Sequence, residues 1–194
     1  MQWKNTRSGY GLVAIALHWL VALTVIGLAI LGLWMVDLSY YSPWYRSAPF
    51  WHRSVGLALF AVLLLRMFWR CFNPRPGQLP NHRRWELNLA ALVHGLLYFL
   101  LFVIVISGYL ISTATGQGIS FFGWFEVPAT LTGLPAQADR AGAVHYWAAI
   151  LVLGLAALHA LGALKHHFID RDDTLRRMLG LRSRQLNSSK EKQA

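Results

Sequence analysis

Acidic side chains and thiols are scarce in this chain. Eight Asp and Glu face eighteen Lys and Arg, and charged residues of both signs make up only 13% of the sequence, where a soluble domain carries about 25%. That deficit excludes an ordinary water-solvated enzyme and points to lipid as the main solvent. The single cysteine, Cys71, excludes an intramolecular disulfide, a paired-thiol redox motif, a four-thiolate iron–sulfur site and covalent haem attachment through CxxCH. No nucleotide-binding fingerprint and no internal repeat is present. What the sequence has instead is a hydrophobic fraction of 56%, a formal charge of +10 and eight histidines.

A bilayer core about 30 Å thick needs roughly 20 apolar residues in a helix. Four stretches meet that length, at about 10–35, 50–70, 87–111 and 141–165, and they predict an all-α integral membrane four-helix bundle. Lys4 and Arg7 precede the first stretch in the manner of a secretory signal, but the run is too long for a signal core and has no convincing cleavage site. Of the eighteen cations, fifteen fall at the ends and connection that share a side with the termini, and three, Arg46, Arg53 and Arg140, on the other. The positive-inside rule then places both termini in the cytoplasm. Asp37, Glu126 and Asp139 cancel the three outer cations, so the whole excess is inside. Segregation of charge across a membrane accounts for the basic balance without a nucleic-acid partner. Residues 8–180 read as one transmembrane domain and 181–194 as a polar, disordered cytoplasmic tail. Asn73-Pro74-Arg75-Pro76-Gly77 with Leu79-Pro80 predicts a rigid inner turn, and the outer loop 112–140, with Phe121, Phe122, Trp124 and Phe125, suits the membrane interface.

His18, His52, His94, His145 and His159 fall within or at the ends of the apolar stretches, where an ionisable group is costly and needs a partner or a task. His145 and His159 are 14 residues apart, so at about 100° per residue they return to within roughly 40° of one face, about 21 Å apart along the axis. His52 matches His145 in depth and His18 matches His159. Two pairs at two depths are what two six-coordinate haems require. Zinc prefers four tetrahedral ligands at one depth, so each pair would half fill such a site. His94 lies at the inner depth too, as an alternative ligand, a pocket residue or a satisfied core histidine. Arg66 follows His52 by 14 residues and no carboxylate lies inside any span. A haem propionate would partner it, as lipid phosphate would, and Arg53 stands in the same relation to the outer site.

The ordered set His18-Trp19, His52-Arg53-Ser54-Val55-Gly56 with Arg66 and Trp69-Arg70, His94 with Leu97-Tyr98, Gly108-Tyr109-Leu110-Ile111-Ser112, His145 with His159, and the run from Lys165 to Arg177 resembles the bacterial cytochrome b561 family of four-helix dihaem proteins of the inner membrane. The resemblance covers about 8–180. It implies two non-covalent b haems, with His18 and His159 on the cytoplasmic-side iron and His52 and His145 on the periplasmic-side iron.

Bis-histidine ligation leaves no open position on iron and favours outer-sphere electron transfer. A carrier in lipid suggests membrane quinone, ubiquinone above all, as one partner and a periplasmic donor or acceptor as the other. His166 lies seven residues beyond His159 on the same face, so His166, with His167, Lys165 and Trp19, is the expected quinone-binding group. Lipid phosphate is the competing contact for the basic cluster. Some relatives oxidise superoxide and reduce ubiquinone, which makes a superoxide oxidase a specific variant, although the neutral outer face offers an anion no basic funnel. Other readings are a non-catalytic haem-b anchor subunit for a separate dehydrogenase, docked through loop 112–140, and a transporter or zinc channel. Whether the chain is itself an enzyme stays open at this point.

Overall fold

The computed structural model describes residues 2–77, 79 and 82–181. Pro80 of the expected turn and the tail from residue 182 onward lie outside the described residues. The chain is mostly helical: α1 Leu12–Met35, α2 Ser47–Phe72, α3 Arg84–Thr113, a hairpin of β1 Ile119–Phe121 and β2 Phe125–Val127, α4 Gln137–Phe168 and a short α5 Thr174–Met178. Four helices among the described residues, of 24, 26, 30 and 32 residues, are long and apolar enough to cross a membrane. At 1.5 Å per residue even the first spans about 36 Å.

The last three of these helices overrun the expected spans because a helix need not stop where the hydrocarbon stops. α3 begins at Arg84 and carries Glu86 in its first turn, while α4 ends with Lys165, His166 and His167 in its last. Those are the charges the helix dipole favours at each end.

By contact the chain divides into two units. One takes in Val21–Leu63 and Gly95–Gly154, the other Met1–Leu20, Leu64–His94 and Leu155–Ala194. In the first, Val21 of α1, Leu59 and Leu63 of α2, Leu101 of α3 and Val152 of α4 form a buried apolar cluster to which all four helices contribute. Large apolar side chains such as Leu23, Ile30 and Phe99 stay exposed, which in lipid carries no hydrophobic penalty.

The hairpin is the element that the sequence reading missed. Ile119 pairs with Val127 and Phe121 with Phe125, antiparallel. Phe122 and Gly123 both take positive φ, 51° and 77°, and Trp124 N–H donates to the Phe121 carbonyl at 2.9 Å. A turn of that shape is normally announced by Asn-Gly or Asp-Gly; Phe-Gly hides it. Fully buried Ser54 ties the hairpin to α2 by donating to the Ser120 carbonyl at 3.2 Å and accepting from Phe122 N–H at 3.1 Å. Tyr109 and Gln137 hold the rest of the loop. The tyrosine hydroxyl donates to the Pro128 carbonyl at 2.7 Å and accepts from Thr130 N–H at 2.8 Å, while Gln137 Nε2 donates to the carbonyls of Leu110 and Leu131.

In the other unit, the chain before α1 meets the turn after α2. Asn5 Nδ2 donates to the Pro74 carbonyl and Gly77 N–H to the Arg7 carbonyl. Arg177 of α5 reaches the Gly77 carbonyl at 2.8 Å.

Candidate functional site

Helix periodicity brings the intramembrane histidines together in pairs. In the unit containing the hairpin, the His52 ring of α2 faces the His145 ring of α4, with centroids 6.2 Å apart and planes at 66°. In the unit containing the termini, His18 of α1 faces His159 of α4 at 6.3 Å and 67°. The two pairs come from three helices and repeat one geometry. Gly32 and Gly108 make room for the first pair: a Cβ at position 32 would stand 3.1 Å from His52 Cε1, and one at position 108 would stand 3.1 Å from His145 Cε1.

The separations are of the size a shared metal requires. An imidazole nitrogen binds a first-row metal at about 2 Å and the ring centroid lies about 1.2 Å behind it, so two rings facing across one ion would put their centroids about 6.4 Å apart. His145 is also set in the required tautomer. Its Nδ1 lies 2.9 Å from the Ile104 carbonyl, to which only a protonated nitrogen can donate, and this leaves the Nε2 lone pair for a metal. His52 Nδ1 is buried with no hydrogen-bond partner, an orphaned polar atom beside that same pair.

His94 is close to the other pair, 4.8 Å from the His159 ring centroid, a separation too short for an intervening ion. Its Nδ1 donates to the Ala90 carbonyl at 2.6 Å, which leaves Nε2 as an acceptor. Arg66, expected to seek an anion, instead points Nη2 at His18 Nδ1 from 2.8 Å. A guanidinium only donates, so His18 Nδ1 accepts and the neutral ring carries its proton on Nε2. Ligation through Nε2 requires the opposite tautomer, and an anion that draws Arg66 away would release it. Arg53, next to His52 in α2, donates through Nε to the Pro49 carbonyl at 3.1 Å.

The four candidate quinone residues separate into one cluster and two single groups. Lys165 Nζ donates to Glu86 Oε1 and contacts Asp170 Oδ2, both at 2.7 Å. His166 Nδ1 lies 2.7 Å from Asp170 Oδ2 and 3.4 Å from Asp172 Oδ2. His167 stacks edge-on with its neighbour Phe168. Trp19 Nε1 donates to the Met178 carbonyl at 2.9 Å, fastening α5 to α1. Sequence reasoning missed the partners: buried Asp172 accepts from His82 Nε2 at 2.8 Å and, through Oδ1, from Thr174 N–H at 2.8 Å. The Lys165 ammonium and then His166 hold Asp170 below the usual carboxylate value, against some desolvation. Burial pushes Asp172 up, but the hydrogen bonds from Thr174 and His82 outweigh it and its carboxyl also sits below the usual value. The run Ile169-Asp170-Arg171-Asp172-Asp173 so soon after His166-His167 was the available clue.

Residues 9–181 match the prokaryotic cytochrome b561 family. The chain belongs to that family. It is 54% identical over 180 residues to cytochrome b561 homolog 2 of Escherichia coli (strain K12), covering 93% of this chain and 96% of that one. It is 30% identical over 174 residues to the "Probable superoxide oxidase CybB" of Yersinia pestis, 88% and 95% of the two chains, and 27% identical over 169 residues to cytochrome b561 homolog 1 of Escherichia coli (strain K12), 85% and 93%. As a prokaryotic cytochrome b561 it is a multi-pass protein of the bacterial inner membrane that binds b-type haem and carries electrons. The sequence expectations of family, helical membrane fold and location agree with these matches.

Proposed function

We propose that the chain is a dihaem cytochrome that moves electrons across the membrane between quinone and a periplasmic donor or acceptor. The observation that carries this reading is the repeated imidazole pair, with His18 facing His159 and His52 facing His145 at nearly equal separation and tilt. His18 and His159 would hold one haem and His52 and His145 the other. Residues 8–180 form the dihaem domain, and the charge asymmetry of the connections supports cytoplasmic termini.

Each haem supplies one-electron redox chemistry when bound, and the protein does the rest. With two histidines to hold each haem, the protein would leave no site on the metal for oxygen and would favour outer-sphere electron transfer. Ile104 fixes the His145 tautomer through its carbonyl. Arg66 and Arg53 would supply the charges that pair with the propionates, which asks Arg66 to leave His18. His94 is left outside the ligand set because the His18–His159 pair repeats the His52–His145 geometry, while His94 and His159 are too close to share an ion.

At the quinone, taken to be ubiquinone, His166 exchanges the proton that accompanies each electron, Lys165 orients the headgroup, and His167 and Trp19 border the pocket. Asp170 beside His166 restores its proton from the aqueous side. Superoxide as the periplasmic electron donor is the specific variant of this reading. The name of the Yersinia pestis relative supports it, and the neutral charge of the outer connections weighs against it.

A pyridine haemochrome assay on purified wild type, His52→Ala, His159→Ala and His94→Ala tests the assignment. Two haems in wild type, one in each of the first two variants and two in His94→Ala are expected. Loss of a haem in His94→Ala with retention in His159→Ala overturns the ligand set. Reduction of a soluble ubiquinone analogue by the isolated dihaem protein supports the quinone role, whereas a dehydrogenase subunit co-purifying in fixed ratio turns the reading to an anchor subunit.

A further inference from the structure

Beyond the intramembrane imidazoles, two overlapping groups among the described residues have the composition of a metal site: Glu86, His166 and Asp170, whose carboxylates Lys165 already pairs, and a second built on two imidazoles. His82, just before α3, His166, near the end of α4, and Asp172, in the loop before α5, bring three ligand atoms within 4.8 Å of one another. Asp172 Oδ2 is at the centre, 2.8 Å from His82 Nε2 and 3.4 Å from His166 Nδ1, and the two rings lie 4.6 Å apart by centroid. Asp172 is buried and the imidazoles are largely covered, with 14% and 17% of their side-chain surfaces exposed.

His166 Nδ1 is the informative atom. It is buried without a hydrogen bond, although carboxylate oxygens of Asp170 and Asp172 lie 2.7 and 3.4 Å away. An imidazole nitrogen crowded by carboxylate oxygens without a well-formed hydrogen bond is placed as a neighbouring ligand on one cation would be. At a tetrahedral zinc with bonds of about 2.0–2.1 Å, neighbouring ligand atoms lie about 3.3 Å apart, close to the 3.4 Å between His166 Nδ1 and Asp172 Oδ2. His82 Nε2 and Asp172 Oδ2, hydrogen-bonded at 2.8 Å, would part by about half an ångström as the metal displaced the shared proton. Glu86, Asp170 and Asp172 stand around this point, and the Lys165 ammonium pairs with Glu86 and Asp170 but not with Asp172 in the contacts seen.

We propose that His82 Nε2, His166 Nδ1 and Asp172 Oδ2 bind one divalent transition-metal ion of the zinc class. Two imidazoles and one carboxylate suit zinc better than magnesium or calcium, which take oxygen. Three protein ligands leave the fourth position to water. Asp170, 2.7 Å from His166, stands beside the site to accept a hydrogen bond from that water. The site is separate from the haem-pairing histidines but shares His166 with the quinone reading, because Nδ1 holds either the metal or the proton relayed by Asp170; zinc counting tests the metal without reference to quinone.

The test uses tag-free, haem-loaded, full-length protein in detergent, stripped with chelator, incubated with zinc chloride and desalted. Zinc and haem are counted in the same sample. One zinc per chain is expected in wild type and in the imidazole control His167→Ala, and less than a fifth of that in His82→Ala and Asp172→Asn at unchanged haem content. Should Asp172→Asn lose haem through misfolding, His82→Gln, a milder change at the site's edge, gives the same reading. Zinc-edge X-ray absorption of the loaded wild type should show two imidazoles and oxygen ligands. No retained zinc, equal retention in the site variants, or a spectrum with fewer than two imidazoles overturns the proposal.

Discussion

Arg66 Nη2 stands 2.8 Å from His18 Nδ1, a guanidinium from α2 set against an imidazole from α1. The contact couples a permanent charge to a proposed iron ligand. Removing a positive charge roughly 8 Å from the redox centre, at an effective dielectric of about 20, takes away about 2 kcal/mol of stabilisation of the reduced state. For one electron at 59 mV per factor of ten this is about 90 mV, and a propionate partner offsets part of it. Arg66→Met is expected to lower the midpoint potential of one haem by about 30–90 mV and leave the other nearly unchanged. Arg66→Lys keeps the charge without the fork and should shift it less. A redox titration reads both, and equal shifts at both haems would reject the local coupling.

The hairpin anchor yields a stability prediction. Ser54 is fully buried and its hydroxyl both donates and accepts across to the hairpin. In Ser54→Ala the Phe122 N–H and Ser120 carbonyl lose that partner, at a cost of about 1–3 kcal/mol. For a chain of this size the melting temperature of the detergent-solubilised protein should fall by about 2–8 °C, and Phe121–Phe125 should become a site of limited proteolysis. Haem content is expected to stay at the wild-type level.

Glycine packing against the imidazoles separates the two sites. Gly108 clears His145 Cε1, and a Cβ there would be 3.1 Å from it, a contact that asks the ring to move by a few tenths of an ångström. Gly108→Ala should therefore perturb the low-spin spectrum of one haem, and Gly108→Val, with two further methyl groups in the same gap, should lose that haem while the other remains. Normal haem content in Gly108→Val would show that His145 has freedom the packing does not suggest.

What the sequence disclosed and what it hid follow from the range of the interactions. The four spans and the imidazole pairs depend on the 3.6-residue period and on the cost of polar groups in lipid, which act wherever the residue stands in the chain. The 14-residue interval from His145 to His159 was therefore readable, and both rings do meet partners. His94 stayed ambiguous because depth along a helix does not fix ring separation; its centroid lies 4.8 Å from that of His159. The hairpin was hidden by a Phe-Gly turn, and the His82–Asp172 contact joins residues 90 apart through two loops, where no periodicity operates. Arg66 was placed on the right face, but its pairing with His18 depends on a few ångströms of side-chain direction.

Asp172 gives the loop after α4 a pH dependence whose sign is set by its partners. Its usual value of 3.8 is raised by burial and lowered by more through Thr174 and His82, so the folded carboxyl holds its proton less tightly than the unfolded one. A depressed folded value contributes stability that is complete above the unfolded value and is lost as pH falls through the folded one. His82 and His166 are the titratable groups facing it. In chelator-treated protein, the difference in melting temperature between wild type and Asp172→Asn should be wide near pH 7, begin to narrow below about pH 4 and close in stronger acid. Thermal scans of the pair across pH 7 to 3 measure it. A gap that stays constant over that range would mean that the asparagine acts through packing or lost hydrogen bonds alone, and that the Asp172 charge contributes nothing to holding α5 in place.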